Sequence, residues 1–210
     1  FGPPTGIIFT PNYEGVHQNK DFRVAFKVNS EGFRSSAEFL TGSQDQKIVA
    51  VLGDSFTAGL GVEEKDTFVK LSESALADKG IKQVQNYGMP GTGIAYYLQT
   101  YEAFVKKHKP EIVIIAVLYN DIPDFNYFQK SAYGFLNKAD AFFQKHSSLY
   151  KFIYLQAERS KLEAWQSFPK DGYLWESPLS VETQRIYDGF FGKFSQLTNE
   201  IKQDGAVPVM

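Results

Sequence analysis

The chain of 210 residues contains no cysteine. That excludes disulfides, thiolate nucleophiles and Cys-ligated metals, while leaving the compartment undecided. Histidine is limited to His17, His108 and His146, so candidates for a general base are few. Neither sign of charge is in excess: 22 Lys and Arg against 24 Asp and Glu give a formal net charge of -2. Such a balance offers no global attraction for nucleic acid or an anionic membrane. No stretch approaches the ~20 apolar residues of a membrane span. The opening "FGPPTG" lacks the basic and apolar regions of a secretory leader. Internal repeats and low-complexity segments are also missing. The chain starts without Met and stops inside the apolar run "AVPVM", so it reads as a processed or trimmed product whose natural sequence continues past Met210.

What is present is a core. With 43% hydrophobic residues, a chain of this length forms a single domain that buries roughly 70% of its unfolded surface. "FRVAFKV", residues 22–28, alternates with period two and reads as a half-buried strand in an N-terminal preamble, residues 1–46. "KIVAVLGDS" is different, because Ile48 to Leu52 are continuously apolar, as in a parallel strand covered on both faces. "KDTFVKLSESALADKG" then predicts a helix with Asp66 as N-cap, Gly80 at its end and an apolar stripe of Phe68, Leu71 and Ala75. "KQVQNYG" is a short second strand, and "MPGTG" a turn. A helix follows with Ile94, Tyr97, Leu98, Tyr101 and Val105 at helical spacing, stopped by Pro110.

Ile112 to Leu118 form the next apolar strand. Ser180 is a candidate N-cap for a late helix carrying Ile186, Phe190, Phe194, Leu197 and Ile201, and "AVPVM" is a last strand. This β-α-β-α-β order with a later α-β predicts a doubly wound, flavodoxin-like, three-layer α/β/α fold around a parallel central sheet. Between them, residues 122–178 are aromatic-rich and too long for a simple connection. They read as an insertion that caps a site, its aromatics mostly core but able in part to stack on sugars or line an acyl pocket.

Ligands of such sheets sit beyond the C-terminal strand ends. There the sequence places Asp54 and Ser55 after the first strand, Asn86, Gly88, Gly91 and Gly93 after the second, and Asn120 and Asp121 after the third. A serine at a strand-to-helix turn presents its hydroxyl beside backbone N–H groups that stabilise developing negative charge. An Asn side chain can supply a further donor. Acyl transfer is the chemistry that uses this set. Asp54 and Asp121 read as supports of their turns, and Gly59, Gly88 and Gly93 as turn and packing glycines. The alternative role for Ser55 is that of a helix N-cap. Arg34 in "GFRSS" is read as an exposed or ion-paired side chain, with an anionic substrate as its alternative partner, and "KKHK" as a solvated helix end.

"GDSFTAG", "NYGMPGTG" and "LYND" resemble, in order and spacing, three blocks of the SGNH hydrolases, also called GDSL lipases and esterases. The resemblance implies Ser55 as nucleophile, and the Ser55 N–H, Gly91 and Asn120 as oxyanion hole. It departs at Leu118, where the family usually has glycine. The upstream "VNSEGFR" is similar to a lead-in of bacterial members with a membrane-anchoring N-terminus, which implies an extracytoplasmic protein anchored through sequence outside this chain. The family's closing Asp-x-x-His does not occur here, and its Asp and His are expected beyond residue 210. "EGVH" around His17 is the one acid-x-x-His match, on the wrong side of the nucleophile for the family order.

The expected activity is that of a serine esterase acting through an acyl-enzyme on an acetylated glycan, lipid or small acyl ester, with no cofactor, metal or nucleic-acid partner. The alternatives are a catalytically inactive glycan-binding relative and a flavodoxin-like phosphate- or flavin-binding module.

Overall fold

The computed structural model describes residues 8–122 and 177–210. Two compact units are formed, one by residues 1–125 and 189–210, the other by residues 126–188. In the first, β1 (Glu14–Gln18) and β2 (Arg23–Lys27) make an antiparallel hairpin. The alternation in "FRVAFKV" is its signal, with Val24 and Phe26 buried between exposed neighbours. Its partner β1 was not expected from the sequence, since "EGVHQ" has neither a clean period nor many β-formers.

The central sheet holds β3 (Lys47–Gly53), β4 (Ile81–Gly88), β5 (Ile112–Ile115) and β6 (Val207–Val209), ordered β4-β3-β5-β6 with every pair parallel. The first strand lies between the second and third, so the chain reverses its direction of travel beside β3. Right-handed crossovers then place the helix after β3 on one face and the helices after β4 and β5 on the other. This is the doubly wound arrangement that the element order predicts. The strand expected at Ile112 to Leu118 keeps its ladder only to Ile115; the Ala116 N–H still donates to Leu52, and the chain then turns.

On one face, Val49, Val51 and Val84 pack with Val69 and Leu76 of α2 (Phe68–Leu76). The expected stripe is therefore corrected: Phe68, Leu71 and Ala75 are exposed, and the helix is rotated to bury Val69. The reason is polar. Glu73 lies on the inner side, where its carboxylate accepts from the Val84 N–H at 2.8 Å and pairs with Lys70 at 2.8 Å, satisfying backbone of the edge strand β4. The expected cap is corrected too. Asp66 ends a 3-10 turn, and the Thr67 hydroxyl caps α2 by accepting from the Lys70 N–H.

α3 (Ile94–Thr100) is buried almost all round and passes through a π-helical turn, Tyr101–Val105, before ending at Lys109 in a left-handed conformation. In α4 (Val181–Gln203) Phe190, Leu197 and Ile201 are buried, and the Ser180 hydroxyl caps its start by accepting from the Thr183 N–H at 3.1 Å. The Tyr101 hydroxyl donates to Asp204 at 3.0 Å, tying the π-helical turn after α3 to the exit of α4. Among the described residues, no helix is long and apolar enough to cross a membrane.

The segment before β3 is built into the domain. Phe33 is fully buried and meets Tyr87 and Phe104 edge-on at 4.8 and 4.9 Å. Gln83 and Gln85, alternating with Tyr87 on one face of β4, exchange hydrogen bonds with the backbone of Glu38 and Leu40. "KKHK" is corrected as well, because His108 is buried. Its ring nitrogens face the Leu40 carbonyl at 3.0 Å and the Glu31 carboxylate at 2.8 Å, and Lys107 binds the same carboxylate.

Candidate active site

Register brings the strand ends together. Gly53 lies opposite Gly88 and Leu52 opposite Ile115, so the turns after β3, β4 and β5 leave the sheet at one edge with the Ser55 turn in the middle. The Met89 N–H donates to the Gly53 carbonyl at 3.0 Å, extending the ladder into the glycine turn.

Ser55 opens α1 (Ser55–Ala58), a single turn closed by Gly59 in the left-handed region. The capping position belongs to Asp54, which is buried and whose carboxylate accepts from the Phe56 N–H at 2.9 Å. Ser55 is thus not spent as a cap. It is half-buried, and its hydroxyl makes no hydrogen bond among the described residues. The turn is braced from the next strand: the Asn86 amide donates to the Thr57 carbonyl at 2.8 Å and its oxygen accepts from the Gly88 N–H at 2.9 Å. Gly88 allows this approach, since a Cβ there would sit 2.2 Å from the Ala58 nitrogen.

Gly91 has φ +69, and a Cβ would meet nothing within 4 Å. Glycine is required there by backbone conformation rather than crowding, since among the described residues nothing stands where a Cβ would be. Gly93, in contrast, is extended and begins α3. Asn120 lies in the 3-10 turn Tyr119–Asp121, and its side chain is outside the described set. That turn is fixed by Asp121, fully buried, whose carboxylate accepts from the Leu118 N–H at 2.8 Å and the Tyr97 hydroxyl at 3.0 Å.

Arg34 corrects its sequence reading: it is neither exposed nor ion-paired. Only 1% accessible, its guanidinium donates to the Ala58 carbonyl at 3.0 Å, to the Gly59 carbonyl and to the Val62 carbonyl at 2.6 Å. It also lies 4.8 Å from the centre of the Phe26 ring. No carboxylate is within ion-pairing distance among the described residues; burial lowers its pKa from the ordinary value, opposed by the charges of Glu64 and Glu63. Arg34 therefore clamps the loop that leaves the Ser55 turn onto the hairpin. The sequence showed only a lone Arg after "SEGF"; that its partners are carbonyls 24 to 28 residues away is a tertiary fact.

The histidines separate clearly. Residues three apart on a strand point to opposite faces, and Glu14 pairs with Lys27 at 2.7 Å while His17 packs against Phe22 and Phe26. "EGVH" is not an acid–base pair. His108 has both nitrogens committed at the far side of α3, and His146, like residues 123–176 of the aromatic insertion, lies outside the described residues. Among the described residues, no group of three or more Asp, Glu or His could hold a metal ion.

A half-buried serine on a tight turn at the C-terminal edge of a doubly wound sheet, flanked by a left-handed glycine turn and an Asn-bearing turn, stands where such sheets bind their ligands. Residues 49–148, just under half of the chain, match the family model of the GDSL-like lipases/acylhydrolases. Over those residues the chain is similar to that family of acylhydrolases. No curated protein matches the chain.

Among solved structures, AlinE4, an SGNH-hydrolase family esterase, is 21% identical, covering 80% of this chain and 77% of its own, with a TM-score of 0.37. TesA is 20% identical over 72% of this chain and 99% of its own, at 0.34. A GDSL-like lipase from Bacteroides thetaiotaomicron is 15% identical over 81% and 71%, at 0.32.

Proposed function

We propose that the protein is a serine esterase that cleaves a carboxylic ester through an acyl-enzyme on Ser55. The observation that carries this reading is the division of labour between Asp54 and Ser55. With Asp54 capping the turn, the Ser55 hydroxyl stands at the strand end with no hydrogen-bond partner among the described residues. Its oxygen attacks the ester carbonyl while its proton passes to a general base, and the C–O bond to the alcohol breaks as the alcohol leaves protonated. Water then adds to the acyl carbon and releases the acid and Ser55. The Ser55 and Gly91 N–H groups and the Asn120 amide stabilise the oxyanion in both halves. The base and its carboxylate are supplied by Asp-x-x-His-type residues outside those described. Acyl groups on glycans, lipids or small alcohols all suit this chemistry.

The test is intact-mass analysis of the full-length protein after fluorophosphonate treatment, alongside Ser55→Ala. A single adduct on the wild type that vanishes in the variant is expected. No adduct on a folded full-length chain would overturn the reading and leave an inactive, glycan-binding relative in its place.

A further inference from the structure

A cavity of about 360 Å³ lies between the N-terminal hairpin and the turns that carry the site. Its apolar walls include Phe9, Val16, Phe26, Val28, Leu60 and Pro90. Two of these belong to the catalytic turns. Pro90 directly precedes Gly91, and the Leu60 N–H donates to the Ser55 carbonyl at 3.2 Å. The opposite wall is β1 and β2, which Arg34 holds to the same loop through Ala58, Gly59 and Val62.

Among the described residues, no charged side chain lines the cavity; Thr10, Tyr13 and His17 are its polar-capable members. His17 presents a ring already packed between Phe22 and Phe26, at 4.9 and 5.7 Å, and serves as wall. Leu60 is 36% accessible, so its apolar surface remains open to an occupant.

We infer that this cavity is the acyl subsite, and that it takes an uncharged alkyl chain of medium length. The inference rests on Ser55 being the nucleophile. The lining excludes carboxylated or phosphorylated acyl groups, whose charge would lose its hydration without a partner. At about 30 Å³ per water-sized group, the volume holds on the order of ten non-hydrogen atoms, enough for a hexanoyl to octanoyl chain. An acetyl group would leave most of it unfilled.

The test compares kcat/KM for p-nitrophenyl acetate and p-nitrophenyl hexanoate in the full-length protein and in Thr10→Trp, which fills the cavity from an exposed loop position. Burial of methylenes predicts a gain approaching fourfold per added carbon in the wild type. Thr10→Trp is expected to cut the hexanoate value at least tenfold and to leave acetate within about twofold. Val28→Ala, which cannot overpack, is expected to move the optimum to a longer chain. Hydrolysis with the same chain-length profile in all three proteins overturns the subsite alone. So does an effect seen with alkyl acetates instead of acyl p-nitrophenyl esters, which would put the leaving alcohol in the cavity. Absence of both hydrolysis and fluorophosphonate labelling overturns the nucleophile reading, and the acyl subsite with it.

Discussion

Replacing Arg34 by Met keeps an aliphatic stem of similar length and removes the charged fork that lies over the Phe26 ring. The Ala58 and Val62 carbonyls then lose their donor, and the Gly59 carbonyl keeps only the Val62 N–H at 3.3 Å, in a region where Arg34 itself is 1% accessible. Hydrogen bonds from a charged donor contribute about 1.5–3 kcal/mol each, and a buried acceptor stripped of its partner costs about 1–3 kcal/mol. Two of the three carbonyls share one nitrogen, Nη1, so full additivity is not expected. Relief from burying a cation offsets part of the loss.

The net expectation is ~3–5 kcal/mol of destabilisation. For a chain of this size that lowers Tm by roughly 6–20 °C. Urea unfolding with an unchanged m-value gives the free energy directly. Because the clamped loop is continuous with the Ser55 turn, fluorophosphonate labelling of the folded variant is expected to slow at least tenfold. Arg34→Lys retains the charge but cannot fork to both Ala58 and Val62, and recovers only part of each loss. A Tm within 2 °C of wild type, with an unchanged labelling rate, would refute the clamp.

Gly91→Ala meets no neighbour but must hold φ +69, so a stability loss of about 1 kcal/mol with a much larger fall in turnover is expected; equal effects on both would remove Gly91 from the oxyanion site. Gly88→Ala places a Cβ 2.2 Å from the Ala58 nitrogen and is expected to cost several kcal/mol in denaturant unfolding, at the upper end of overpacking effects; a cost below 1 kcal/mol would contradict the close approach. For Glu31, desolvation by burial raises the pKa but is outweighed by hydrogen bonds and charges from His108 and Lys107, leaving it below the usual value of 4.5. A depressed carboxylate stabilises the fold above its unfolded pKa and loses that contribution as pH falls through its folded pKa. Urea midpoints of wild type and Glu31→Gln should therefore differ at pH 7 and converge as the pH drops below the usual carboxylate range; a gap that does not narrow would contradict this. Tyr97→Phe removes the 3.0 Å bond to Asp121 and is expected to cost about 1 kcal/mol and to lower kcat while sparing KM; an unchanged kcat would separate that bond from the positioning of the Asn120 turn.

Much of the fold is legible in local pattern. Ile48 to Leu52 and Ile112 to Ile115 are apolar on both sides because both sheet faces are covered, and no tertiary knowledge is needed to see strands in them. The order of elements with right-handed crossovers then fixes which helices share a face. The candidate site is legible for the same reason, since Ser55, Gly91 and Asn120 follow directly on strand ends.

What sequence could not decide is set by contacts distant in the chain. The rotation of α2 depends on Glu73 finding the backbone of β4, so an apolar count alone favoured the wrong stripe. Whether Ser55 or Asp54 caps the turn is a choice between adjacent residues of similar propensity, and only the fold of α1 resolves it. Arg34, buried without an ion pair, breaks the rule that an isolated cation stays at the surface. It can do so because the loop after Ser55 turns carbonyls inward that nothing local could satisfy. Sequence alone determined the sheet and the order of its polar ends; the tertiary structure determined which of those polar groups are spent on holding the site and which are left for a substrate.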